Sequence, residues 1–107
     1  MKELTVLELK DKLDNQDEFK MIDVREPHEY EADHLENTLH IPLNSIPGNV
    51  ADLEEYKDHK LVMICRSGNR CGTAANFLNS NGFKQVYNLK GGMLAWKAEI
   101  DESFNVQ

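Results

Sequence analysis

The run Lys60-Leu61-Val62-Met63-Ile64 is apolar after its first residue and stops abruptly at a cysteine and a polar loop. A segment that short and that uniformly apolar reads as a strand covered on both faces, the condition of parallel sheets flanked by helices. The chain supplies the matching parts. Thr5-Val6-Leu7-Glu8 has the spacing of a capping box, and Leu9 and Leu13 continue an apolar helical face to about Asn15. Phe19 to Val24 reads as a buried strand, and Glu26 to Ala32 as a short helix with Pro27 at its first position. Leu39-His40-Ile41 reads as a strand fragment stopped by Pro42. Val50 to Tyr56 reads as a helix with Val50, Leu53 and Tyr56 on one side. Ala74, Ala75, Phe77 and Leu78 share the face of a helix that ends at Asn81-Gly82, Gln85 to Leu89 reads as a strand, and Gly91-Gly92 opens a last helix carrying Met93, Leu94 and Trp96. Strands alternating with helices imply parallel pairing through right-handed crossovers, hence a three-layer α/β domain.

A chain of 107 residues fits one such domain, residues 1–107, large enough to need no metal or disulfide staple. The net charge of −7 resides in the first third: residues 1–36 carry twelve acids against five bases, and the remainder is balanced. That acidity argues against nucleic acid and against anionic membranes as partners. No apolar run approaches the ~20 residues of a membrane span, and no basic-then-apolar leader opens the chain, so a cytoplasmic location is expected. Two cysteines do not make a disulfide framework. His28, His34, His40 and His59 lack the spacing of metal ligands and fall on separate loops or element ends, so neither a metal nor a cofactor is expected.

In open parallel sheets, ligands collect outside the carboxyl ends of the strands, which directs attention to Cys65-Arg66-Ser67-Gly68-Asn69-Arg70. No acid occurs from Lys60 through Asn81. Successive N–H groups in a tight strand-to-helix loop make an anion nest, and the helix behind contributes about half a positive charge. Both favour a thiolate over a thiol, and a pKa lowered by about two units from ~8.5 makes the thiolate the main form at neutral pH. From these residues alone two readings stand, a small buried hydrophobe or an activated nucleophile.

The same segment resembles the active-site loop of single-domain rhodaneses, the thiosulfate and polysulfide sulfurtransferases. The resemblance continues through Ile22-Asp23-Val24-Arg25-Glu26-Pro27-His28-Glu29-Tyr30, through His34-Leu35 to His40-Ile41-Pro42, through Ala74-Ala75-Asn76-Phe77-Leu78 and Gly82-Phe83, and through Leu89-Lys90-Gly91-Gly92-Met93-Leu94-Ala95-Trp96. It covers about residues 4–98. It implies a rhodanese-like three-layer α/β domain whose central, mainly parallel sheet has about five strands. It also implies sulfur transfer through a Cys65 persulfide, with a small sulfur-containing anion as donor and a thiol or cyanide as acceptor, thioredoxin or another dithiol protein among them. The amides of Arg66 to Arg70 are expected to cradle the sulfur, and Arg66 to meet the donor's oxyanion. Arg70 is expected to be held by a carboxylate such as Asp23 or Glu29, and Asp23 with Arg25 to form a buried ion pair supporting the loop.

The chain departs from the family pattern at Asp33, at Glu36-Asn37, at His40 and at Cys71. Asn37 retains the capacity for a left-handed turn. Cys71 is either a resolving thiol for Cys65 or a packing residue. With the Cys65 sulfur facing out of its pocket and Cys71 pointing into the helix–sheet contact, packing is the expectation. Two other functions compete with transfer. A cysteine-dependent phosphatase or arsenate reductase has five residues between Cys and Arg, whereas four stand here, a narrower cradle. A non-catalytic regulatory or binding module is the remaining alternative, with residues 1–36 as its docking surface.

Overall fold

The computed structural model describes residues 2–107. Five strands, β1 (Lys2–Leu4), β2 (Lys20–Asp23), β3 (Thr38–His40), β4 (Lys60–Ile64) and β5 (Gln85–Leu89), form one sheet of order β1-β5-β4-β2-β3. All four pairings are parallel. Five helices accompany them: α1 (Val6–Asp14), α2 (Pro27–Ala32), α3 (Ile46–Asn49), α4 (Asn69–Ser80) and α5 (Gly92–Glu99). None of these is long and apolar enough to cross a membrane.

The central strand explains the layering. Leu61 and Met63 of β4, with Cys65 beyond it, enter a core with Ile22, Ala74, Ala75, Leu78, Phe83 and Val86, on the side of α3 and α4. Val62 and Ile64 enter the opposite core with Val6, Leu9, Leu89, Met93 and Trp96, on the side of α1 and α5. Successive side chains of a strand point to opposite faces, so a strand buried between two helical layers must be apolar at every position. The ends of α1 and α2 follow local chemistry. Thr5 Oγ1 accepts from the Glu8 N–H at 3.1 Å, and Glu8 Oε1 accepts from the Thr5 N–H at 2.9 Å. The capping box therefore forms as its spacing implies. Pro27 occupies the first turn of α2, where a missing N–H costs nothing. Asn37 takes a φ of 63°, the left-handed turn expected of it.

Two parts differ from expectation. Residues 50–56 do not form a helix. The helical turn comes earlier, at α3, followed by turns and a single 3₁₀ turn at Glu54–Tyr56. Leu53 is nevertheless buried, with Val50 and Tyr56 packed against the same core. Those three residues supply the apolar contacts without the regular backbone, a case of packing overriding local periodicity. The second difference is β1, which pairs Lys2 to Leu4 with Tyr87 to Leu89 at the edge of the sheet. Three residues are too few for a strand period to be read.

The sheet's order reverses between β2 and β4: β3 lies outside β2 on one side, and β5 and β1 beyond β4 on the other. Their carboxyl ends are held side by side, Val24 N–H donating to the Ile64 carbonyl at 2.9 Å. This reversal is where the crevice of a parallel sheet forms, and it sets Asp23 in register with Ile64, the residue before Cys65.

Candidate active site

Cys65 follows β4 directly and has no exposed surface. Its sulfur accepts from the Gly68 N–H at 3.0 Å and from the Cys71 N–H at 3.3 Å. Gly68 makes the turn possible. Its φ is +97°, and an added Cβ would lie 3.1 Å from the Gly91 nitrogen. The loop backbone is therefore pressed onto the start of α5, where only a residue without a side chain fits. The cradle is not the whole of Arg66 to Arg70: the Gly68 N–H, with Ser67 assisting, is joined by that of Cys71, one residue beyond the expected set. The N-terminus of α5 fastens the other side of the loop. Met93 N–H donates to the Cys65 carbonyl at 2.9 Å and Leu94 N–H to the Arg66 carbonyl at 3.0 Å.

The sulfur does not face outward. Cys65 Sγ lies 2.9 Å from Cys71 Sγ, and Cys71 is likewise fully buried. The expectation that Cys71 points into the helix–sheet contact holds, since its thiol donates to Asn88 Oδ1 on β5. The expectation that Cys65 points away from it does not. Turning the Gly68 and Cys71 amides inward draws the sulfur inward with them, onto the thiol at the first turn of α4. The electrostatic result is a lopsided pair. The single Cys71 S–H lies between Asn88 Oδ1 and Cys65 Sγ; its share toward Cys65, with the amides of Cys71, Gly68 and Ser67, lowers the Cys65 pKa to about 6 against the opposing effect of burial. The same hydrogen bond, burial and the Cys65 charge push the Cys71 thiol far upward. Cys65 is the thiolate and Cys71 the donor.

Around this pair the supporting charges fall into place. Arg70 donates from Nη1 and Nη2 to the two carboxylate oxygens of Glu29 at 2.6 and 2.8 Å, a bidentate pair joining α4 to α2. Arg70 thereby holds Glu29 ionised down to about pH 2, with burial opposing and the Glu26 N–H assisting. Asp23 and Arg25 form a buried ion pair, Nη2 to Oδ2 2.9 Å, reinforced by the Arg25 Nε and backbone N–H groups. Arg25 also donates to the Asp33 carbonyl at 2.8 Å. His40 Nε2 donates to the Arg25 carbonyl at 2.8 Å. His34 and His40 are not apart, as sequence spacing suggests, but stack on opposite sides of the Tyr30 ring at 3.8 and 4.2 Å. Arg66, Ser67 and Asn69 are exposed, and Arg66 Nε donates to the Gln107 carbonyl at 2.7 Å.

Three contributors lie outside the residues expected from the sequence. Asn88 accepts from Cys71 and donates to the Gly68 carbonyl at 3.2 Å, tying thiol and loop to one strand. A lone Asn inside an apolar strand was the available signal, since a buried amide must find partners. Gly92 is the second: an added Cβ would collide with the Cys65 carbonyl and lie 2.6 Å from the Arg66 carbonyl carbon and oxygen. The third is the segment after α5. Phe104 is buried with its ring 5.9 Å from the Arg25 guanidinium, the Phe104 carbonyl accepts from Lys97 Nζ at 2.6 Å, and Asn105 N–H donates to Asp33. Nothing in its spacing marks that segment as part of the site.

Comparison with known proteins agrees with this geometry. A family model described as rhodanese-like domain matches residues 5–99. A Bacillus subtilis protein named "Putative sulfurtransferase YtwF" is 38% identical over 99 residues, covering 92% of this chain and 93% of that protein. A rhodanese-like domain protein of Staphylococcus aureus superposes with a TM-score of 0.85 at 31% identity, over 100% of this chain and 99% of that one. The tRNA uridine(34) hydroxylase of Cronobacter sakazakii is 40% identical over 85 residues, 76% of this chain but only 24% of the hydroxylase, so this chain spans about a quarter of that protein's length. With the family model, the full-length relative and the five-stranded parallel fold in agreement, the chain belongs to the rhodanese-like domain family.

Proposed function

We propose that this domain transfers sulfane sulfur from thiosulfate or a polysulfide to a thiol, through a persulfide on Cys65. The Cys65 thiolate attacks the outer sulfur of the donor, whose old S–S bond breaks so that sulfite, or a shortened polysulfide, leaves with the bonding pair. The negative charge then resides on the outer sulfur of the persulfide. An acceptor thiolate or cyanide removes that sulfur and regenerates the Cys65 thiolate, so one exchange becomes two easier ones. The observation that carries the reading is a cysteine sulfur held by the Gly68 and Cys71 amides at the carboxyl end of the central strand. Donors already aimed at an anion cost no reorganisation when charge forms there. Arg66, exposed beside the loop, is the group suited to the sulfonate end of thiosulfate. Because Cys65 has no exposed surface, donor attack requires the 66–68 loop to turn the sulfur outward.

A tRNA substrate is not carried over from the hydroxylases. The match reaches a quarter of their length, and a net charge of −7 opposes binding to phosphate. The buried sulfur favours one second reading, a binding module that keeps its cysteine as a core residue. Intact mass after thiosulfate treatment separates the two. Transfer predicts an adduct of about 32 Da that maps to Cys65 and is absent from Cys65→Ser, while a binding module stays at its unmodified mass.

A further inference from the structure

We propose that Cys71 is a resolving thiol that attacks the Cys65 persulfide at its inner sulfur, closing a Cys65–Cys71 disulfide and releasing sulfide. The inference rests on the sulfur-transfer reading above and extends it to a second activity, persulfide-to-sulfide reduction within one chain. Three observations carry it. The two Sγ atoms already lie 2.9 Å apart. An S–S bond is about 2.05 Å long, so closing it moves the sulfurs by less than about 1 Å. Both cysteines belong to the same buried core, away from competing thiols. Asn88 holds the arrangement as a unit, accepting from the Cys71 thiol through Oδ1 and binding the Gly68 carbonyl through Nδ2.

The neighbourhood also decides which sulfur reacts. An external acceptor meets the outer sulfur when the 66–68 loop turns it outward, whereas Cys71 faces Sγ of Cys65 when the loop is closed. The step balances as Cys65–Sγ–S⁻ plus HSγ–Cys71 giving Cys65–Sγ–Sγ–Cys71 plus HS⁻. The S–H pair of Cys71 becomes the new S–S bond, the old S–S pair departs with the outer sulfur, and the Cys71 proton ends on that leaving sulfide. Cys71 is oxidised and the outer sulfur reduced. An external dithiol, itself converted to a disulfide, returns the pair to two thiols by exchange.

Timing follows from charge. While Cys65 is the anion, its presence keeps the Cys71 thiol protonated and unreactive. Persulfide formation moves the charge to the outer sulfur, lifts the part of that suppression due to the Cys65 anion while the part due to burial stays, and turns the atom beside Cys71 into an electrophile. Cys71 is thus silent in the resting protein and engaged only after loading. An acceptor thiol that arrives first carries the sulfur away; otherwise Cys71 discharges it as sulfide and parks the domain as a disulfide.

The test is a single loading in the absence of any free thiol. The purified, prereduced protein is treated with one equivalent of thiosulfate at low protein concentration and followed by intact mass and a sulfide assay. The expected course is gain of about 32 Da followed by conversion to about 2 Da below the starting mass, with about one sulfide per chain. Non-reducing peptide mapping should place the bond between Cys65 and Cys71. Cys71→Ser and Cys71→Ala should both hold the heavier form and release sulfide at least about tenfold more slowly. Persistence of the heavier form in the unmutated protein, equal sulfide release in all three proteins, or a disulfide found only between chains would overturn the proposal. Absence of the adduct from the two Cys71 variants as well as from the parent would instead refute the sulfur-transfer reading, and the proposal with it.

Discussion

Replacing Gly92 by alanine tests whether the reactive loop is held by backbone contact with α5. The φ of Gly92 is +57°, a conformation that costs an L-residue about 1–2 kcal/mol. The added methyl would meet the Cys65 carbonyl and, at 2.6 Å, the Arg66 carbonyl carbon and oxygen, all backbone atoms that no rotamer change can clear. Overpacking of that kind costs roughly 1–3 kcal/mol. Moving the loop away stretches the bonds from Met93 N–H and Leu94 N–H to the Cys65 and Arg66 carbonyls, each worth about 1 kcal/mol net. Taken together, Gly92→Ala should destabilise the fold by at least about 4 kcal/mol, a large part of the 5–15 kcal/mol typical of a domain. In urea the midpoint should fall by more than about 2 M, given slopes near 1–2 kcal/mol/M for small domains. What remains folded should show its Cys65 thiolate absorbance titrating above pH 6, because the sulfur has left the Gly68 and Cys71 amides. Gly48→Ala is the internal control: an added Cβ meets nothing within 4 Å, and alanine inside a helix is favoured by about 0.5–1 kcal/mol. A Gly92→Ala midpoint indistinguishable from that of the parent would refute the close approach of α5 to the loop.

Three further outcomes are expected. With the Cys65 pKa near 6, alkylation at that residue should be constant above pH 7 and fall as pH drops through 6, since the thiolate is the reactive form; a midpoint near 8.5 would show that the hydrogen bonds do not stabilise it. Arg66→Ala should raise KM for thiosulfate by about tenfold and leave KM for a dialkyl polysulfide unchanged, the loss of one charge-assisted contact to the sulfonate; equal effects on both donors would assign Arg66 to the loop instead. Glu29→Gln should cost about 1.5–3 kcal/mol at pH 7 by breaking the bidentate pair with Arg70. Because the Glu29 pKa is lowered to about 2 in the folded protein, its contribution is complete above the ordinary value of 4.5 and is lost as pH falls toward 2. Urea midpoints of parent and variant should therefore converge over that interval.

The layers and the strand that carries Cys65 were legible in the order of residues, whereas the loop alone left Cys65 either a buried hydrophobe or an activated nucleophile. The legible features are local or periodic: β4 must be apolar from Leu61 to Ile64 to lie between two helical layers, Thr5 and Glu8 cap their helix by spacing alone, and Cys65 must follow β4 because the chain is continuous. The Asp23–Arg25 ion pair was legible as two charges flanking one strand end, but which carboxylate takes Arg70 was not. Asp23 takes Arg25, two residues away on the same turn, and so Arg70 falls to Glu29, forty-one residues distant in the chain. The rest came from long-range packing. The Val50–Tyr56 segment had helical periodicity, yet its buried residues reach the core from turns. Phe104 and Gln107 reach the site only because the chain folds back after α5. Above all, the direction of the Cys65 sulfur depends on the approach of α4, β5 and α5 to one loop. A sulfur drawn inward by two amides, beside a thiol anchored by Asn88, is a consequence of long-range packing that no spacing rule encodes.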